Sequence, residues 1–265
     1  MLTEARTLNR TRLEGVRPSI PLARALMHPI EWASFSEITF TGQENLDKVK
    51  EALLDGKKII FVSNHMSHAD GPVIYAGLSW NGYSDLAEKI VFVAGIRMDK
   101  LPATQFLQRR AKTIQVWPPT EEAVTDDDKF KKADLNWKAI RTAKRILEAG
   151  LILDMFPQST RSETGGAMEK AYGEVAGYFT LFPDTLVLPI AILGTDRILP
   201  RGRIIPRRGK AGLSVGNLIA VKTLEESLPK GTAHAERRQA LIDSVMMKVA
   251  GLLPDRYKGY YEVQR

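Results

Sequence analysis

The chain contains no cysteine, which excludes a disulfide framework, a thiol nucleophile and a thiolate metal site. It has no apolar run approaching the roughly 18–20 residues that cross a bilayer as a helix. Its opening residues, Met1 to Arg6, are mixed polar and lack the apolar stretch of a secretory signal. Repeats, low-complexity tracts and a convincing interdomain linker are also missing. Histidine numbers only four, and two of these, His65 and His68, fall in one short turn. These absences fit a cytoplasmic protein, peripheral to the inner membrane face if it meets a membrane at all.

At 265 residues the chain is long enough to bury a sizeable core. Its 26% charged and 44% hydrophobic residues are ordinary for a folded domain. The net charge is +7, from 38 Lys and Arg against 31 Asp and Glu, and the excess is clustered. One basic block runs from Arg201 to Lys210, and a smaller one is Arg109, Arg110 and Lys112. Such patches suit phosphates, anionic lipid headgroups or an acidic protein partner, and equally describe the solvated surface of a basic protein. No nucleic-acid motif and no aromatic–basic stacking pattern accompanies them, so nucleic acid is not an expected partner.

Hydrophobic patterning predicts helices over 45–54, 72–78, 101–110, 129–147, 168–179 and 234–253. Strands are expected over 58–63, 90–94, 113–117, 151–156, 186–193 and 213–221. A Pro- and acid-rich loop covers 118–128. The expected organisation is an irregular or helical N-terminal segment, 1–42, followed by a single α/β domain, 43–265. Strands alternating with helices imply a mixed, mostly parallel sheet covered by helices, with ligands at the carboxyl ends of the strands. Residues 20–35 either pack on the core or lie in a membrane interface through Trp32 and Phe35.

The most informative stretch is the turn after the strand at 58–63, which holds Asn64, His65, His68 and Asp70 and leads into Gly71-Pro72. Five positions apart on a regular helix, His65 and Asp70 would point about 140° apart. With His65 in the turn and Asp70 at the helix start, the carboxylate can accept from one ring nitrogen and leave the other as a proton acceptor. Asp70 alone equally reads as a helix N-cap, and His65 alone as a strand-end histidine. His68 has no assigned role. A metal site would need three or four ligands, and His28 and His234 lie near no ligand cluster. The strand at 151–156 runs into a second loop holding Ser159, Thr160, Arg161 and Ser162, a set of hydroxyls, amides and guanidinium suited to phosphate.

Together these motifs resemble the glycerolipid acyltransferases, among them bacterial lysophosphatidate acyltransferases and soluble plastid-type glycerol-3-phosphate acyltransferases. Asn64-His65 to Asp70 matches the family's Asn-His-x-x-x-x-Asp block. Phe156-Pro157-Gln158-Ser159-Thr160-Arg161-Ser162 is similar to Phe-Pro-Glu-Gly-Thr-Arg-Ser. The strand around Pro189 resembles the fourth block, and Gly95-Ile96-Arg97 more loosely the second. Order and spacing agree over 58–193, about half the chain.

The resemblance implies an acyltransferase-like fold and an O-acyltransferase of phospholipid synthesis. Such an enzyme moves a fatty acyl group from acyl-CoA or acyl-carrier protein to a hydroxyl of glycerol-3-phosphate or lysophosphatidate. His65 would be the base and Asp70 its orienting partner. Arg161 and Thr160, with Arg97 and Lys170, would bind the acceptor phosphate. No cofactor is implied beyond the acyl thioester co-substrate. Acyl-carrier protein and an anionic membrane surface are further candidate partners. Alternatives are the same chemistry on a glycolipid or amino-lipid, or a non-catalytic lipid- or phosphate-binding protein. Two positions depart from the family: Gln158 stands for glutamate and Ser159 for glycine. The lost charge at Gln158 would matter most if glutamate there orders the phosphate-binding arginine.

Overall fold

The computed structural model describes residues 14–16, 31, 33–96, 111–228 and 233–262. In chain order it contains β1 (Phe35–Thr41), α1 (Gln43–Leu54), β2 (Lys58–Ser63), α2 (Asp70–Trp80), α3 (Ser84–Ala87), β3 (Ile90–Gly95) and β4 (Lys112–Val116). There follow α4 (Asp126–Glu148), β5 (Ile152–Met155), a 3₁₀ segment (Gly173–Leu181), β6 (Thr185–Leu193) and α5 (Thr195–Ile198). The chain ends with β7 (Gly209–Val215), β8 (Ile219–Ala220), α6 (Val221–Ser227), α7 (His234–Gly251), α8 (Asp255–Lys258) and a 3₁₀ turn (Gly259–Tyr261).

The strands form one sheet in the order β1-β7-β6-β2-β5-β3-β4, with β8 also paired to β6. Pairing is parallel except where β6 meets β7 and β8. This is the mixed, mostly parallel sheet with flanking helices expected from the sequence. β2 lies between two parallel neighbours, and Ile59 to Val62 are fully buried. A continuous apolar run is what a strand covered on both faces requires. Helices α1, α2, α4 and α7 pack on the sheet. Because β2 and β5 run side by side and parallel, their carboxyl ends open on the same edge. That register brings the histidine turn and the 157–166 loop together.

The structure corrects several element expectations. Residues 35–41, read as part of the irregular or helical N-terminal segment, form β1, a parallel edge strand against β7. The expected helix over 168–179 is instead a 3₁₀ segment starting at Gly173. Its first amides are taken by distant partners: Met168 N by Tyr257 O, Ala171 N by Tyr261 Oη and Gly173 N by Gln239 Oε1. The Tyr172 amide likewise goes to Pro157 O, so the amides of Tyr172 and Gly173, which would be the first donors of an i to i−4 ladder begun at 168, are committed elsewhere. The expected strand over 213–221 is divided between β7 and β8, with Val221 already helical. Helix α4 starts three residues before the expected 129, on a capping box between Thr125 and Asp128. The helix expected over 101–110, Arg97 and Trp32 lie outside the described residues.

Candidate active site

Asn64 follows β2 directly and locks the turn to β6. Its Nδ2 donates to Ile192 O at 3.0 Å, and its Oδ1 accepts from Ile192 N at 2.8 Å. This side chain therefore acts as one more rung of the parallel ladder. The next residue, His65, sits under the second loop: Ser162 N donates to His65 O at 3.0 Å, and His65 N donates to Gln158 Oε1 at 2.8 Å. The imidazole stacks on Phe156, 4.5 Å between ring centroids, and its side chain keeps 19% exposure.

Asp70 is the first residue of α2, but its side chain does not cap that helix. It folds back over the turn. Oδ2 accepts from His65 Nδ1 at 2.8 Å, Met66 N at 2.7 Å and Ser67 N at 2.9 Å. Oδ1 accepts from Thr195 Oγ1 at 2.5 Å. Fully buried, the carboxylate has four donors, which is what an ion out of water needs. An oxygen that already takes two amide protons can only accept, so His65 Nδ1 carries its proton toward Asp70 and Nε2 holds the lone pair. That is the tautomer of a general base.

His65 opens on a cavity of about 660 Å³. Its lining includes Ser67, His68, Ser159, Thr160, Arg161 and Arg201, and also the charged residues Glu121, Lys132, Glu174 and Arg238. Phe92, Val93, Ala111, Val116, Ile140, Val175 and Tyr178 are among its apolar lining residues. Burial, then the guanidinium of Arg201, lower the Arg161 pKa from its ordinary 12.5, while Asp70 opposes them. Arg201 is itself paired with Glu163, so the positive charge offered to an anion here is carried chiefly by Arg161. His68 is held down to about 4, first by burial and then by Arg161 and His65, against Asp70. It is therefore a neutral imidazole on the cavity wall at ordinary pH, although the sequence attaches no role to it. Among the described residues no three histidine, aspartate or glutamate side chains group as a metal would require.

Gln158 and Ser159 are explained locally. Gln158 is fully buried, and its carbonyl holds the His65 amide; its hydrogen bonds do not reach Arg161. Glutamine thus keeps the acceptor that positions the histidine turn, and its Nε2 is left without a partner. Ser159 has φ of 57°, in the left-handed region that favours glycine, which explains the glycine in related loops. Lys170 is exposed, with its ammonium 5.6 Å from the Tyr260 ring centroid, and is not on the cavity wall.

A model of the acyltransferase family matches residues 37–193, more than half of the chain and the stretch containing both loops. The chain belongs to the acyltransferase family. This acyltransferase is similar in fold to the 1-acyl-sn-glycerophosphate acyltransferase PlsC from Thermotoga maritima. The TM-score is 0.51 at 20% identity, covering 94% of this chain and 85% of that one. No curated protein matches the sequence. Around the histidine turn and its cavity the structure also places Thr195, Arg201 and His68, to which sequence reasoning attached no role. Thr195 stands 125 residues from Asp70, so no local pattern links the two.

Proposed function

We propose that this acyltransferase moves a fatty acyl group from a thioester, acyl-CoA or acyl-carrier protein, to a hydroxyl of glycerol-3-phosphate or lysophosphatidate. The observation that carries this reading is the composition of one cavity. His65, oriented by Asp70, faces a cavity whose lining combines the guanidinium groups of Arg161, Arg201 and Arg238 with aliphatic and aromatic side chains. A phosphate suits the guanidinium groups and an acyl chain the apolar side chains.

In this reading the acceptor phosphate pairs with Arg161, and Thr160 adds a hydroxyl donor. Nε2 of His65 removes the proton of the acceptor hydroxyl as its oxygen attacks the thioester carbonyl. The tetrahedral adduct collapses by breaking the carbon–sulfur bond, and the leaving thiolate takes the proton back from the imidazolium. Asp70 remains ionised throughout and stabilises the imidazolium that forms between the two steps. Ester formation and thiol release balance without any further reactant.

The test is a donor and acceptor screen with purified protein. Acyl-CoA with glycerol-3-phosphate should give lysophosphatidate, and with lysophosphatidate should give phosphatidate. No product from folded protein with either donor and either acceptor would sink the proposal. Arg161→Ala should raise the acceptor KM about 10- to 100-fold, the worth of a charge-assisted contact, with little effect on the donor KM. An effect confined to the donor would contradict the assignment.

A further inference from the structure

Between α5 and β7 the chain reads Pro200-Arg201-Gly202-Arg203-Ile204-Ile205-Pro206-Arg207-Arg208. No acidic residue occurs from Arg197 to Lys210. The segment forms a loop closed at its base, where Arg207 N donates to Ile198 O at 2.7 Å. Arg203 N to Pro200 O, at 3.1 Å, makes a turn within it. At its tip Ile204 and Ile205 are 77% and 75% exposed. Two adjacent β-branched side chains this far into water gain nothing from the fold that holds them there.

The cations around them are largely uncommitted. Arg201 pairs with Glu163, and Lys210 with Glu37. Arg203, Arg207 and Arg208 are exposed and have no carboxylate partner among the described residues. The loop is also tied to the active site. Ser67 Oγ donates to Leu199 O at 2.7 Å, and Arg201 lies on the cavity wall beside Arg161. An apolar tip flanked by arginines, three residues from Arg201 on the lining of the cavity that opens on His65, matches one environment in particular. It is the boundary where anionic headgroups meet acyl chains.

We propose that the loop over 199–208 docks the enzyme on an anionic phospholipid bilayer, with Ile204 and Ile205 entering the acyl region and Arg203, Arg207 and Arg208 contacting headgroup phosphates. A lipid substrate then meets the cavity mouth without leaving the membrane surface. The inference rests on the acyl-transfer reading only for what the cavity receives. An acidic carrier protein would satisfy the arginines but offers no general reason for a protruding isoleucine pair, so the bilayer is the occupant we assign.

The test is co-sedimentation of the full chain with vesicles of phosphatidylglycerol and, separately, phosphatidylcholine. Wild-type protein should bind the anionic vesicles and be released as salt rises. The pair Ile204→Asp with Ile205→Asp should weaken that binding about 10-fold or more, and the triple Arg203→Glu, Arg207→Glu, Arg208→Glu at least as much. The milder pair Ile204→Ser with Ile205→Ser should lose several-fold and guards against misfolding of the aspartate form. All should turn over detergent-dispersed substrates like wild type. Absence of wild-type binding to anionic vesicles, undiminished binding by the variants, or variants that lose only an acidic carrier protein would each overturn the proposal. Vesicle binding is read without turnover, so a protein inert toward every substrate would count against the acyl-transfer reading alone.

Discussion

Thr195 Oγ1 donates to Asp70 Oδ1 at 2.5 Å, joining the residue two positions past β6 to the carboxylate that orients His65. The bond spans 125 positions in sequence and is fully buried at both ends. It occupies the one Asp70 oxygen that the histidine turn leaves open, so the whole carboxylate is fixed and not only the edge facing the imidazole.

Thr195→Val should therefore cost about 1–3 kcal/mol of stability, because a buried carboxylate loses a donor. Thr195→Ser should recover most of that. Urea unfolding of the three proteins measures it. A Val variant as stable as wild type would mean that this hydroxyl contributes nothing to holding Asp70.

Asp70→Asn keeps the shape of the side chain but removes the charge that stabilises the imidazolium. Turnover should fall on the order of 10²–10⁴-fold with a small change in KM. His65→Ala should lower turnover as severely while destabilising the protein by less than about 2 kcal/mol, since Asp70 retains three of its donors. Parallel kinetics and thermal melts separate the two effects. A large loss of stability in His65→Ala would assign the histidine to structure.

Asp154, on β5, is fully buried, and neither of its carboxylate oxygens has a hydrogen-bond partner. Burial first, and then the negative charge of Asp70, push its pKa well above the ordinary 3.8; the Met155 N–H opposes this, although not in hydrogen-bonding geometry. A raised pKa means that the folded state holds the proton more tightly than the unfolded chain. Its contribution to stability is complete below about pH 3.8 and is lost as pH rises toward the folded value, at up to about 1.4 kcal/mol per pH unit. Asp154→Asn cannot ionise. Its stability relative to wild type should rise with pH above 4, as chemical denaturation at several pH values will show, and a pH-independent difference would contradict a neutral Asp154.

Ser159→Gly should stabilise the protein by about 0.5–1 kcal/mol. Relief of a left-handed serine, about 1–2 kcal/mol, exceeds the extra chain entropy of glycine, about 0.5–1 kcal/mol. Ser159→Val should destabilise, because a β-branched side chain tolerates that conformation least. The order Gly, Ser, Val in denaturant midpoint checks both, and Val at or above Ser would refute the strain argument.

The sequence alone determined the parts of this protein that short-range physics controls. The apolar run Ile59 to Val62, between Gly56 and a polar turn before Pro72, reads as a strand covered on both faces. The spacing of His65 and Asp70 rules out their hydrogen bond along a regular helix and allows it across a strand-to-helix turn, where the two residues stand. The tertiary structure decided everything that depends on which strand lies beside which. Pairing of β2 with β5 brings Gln158 to the His65 amide, and pairing of β2 with β6 brings Asn64 to Ile192 and Thr195 to Asp70. It also turned Gln158 from a charge lost beside an arginine into an acceptor for the histidine turn. The residues that hold the base are thus supplied from distant positions, because a buried carboxylate needs more donors than its own turn can provide.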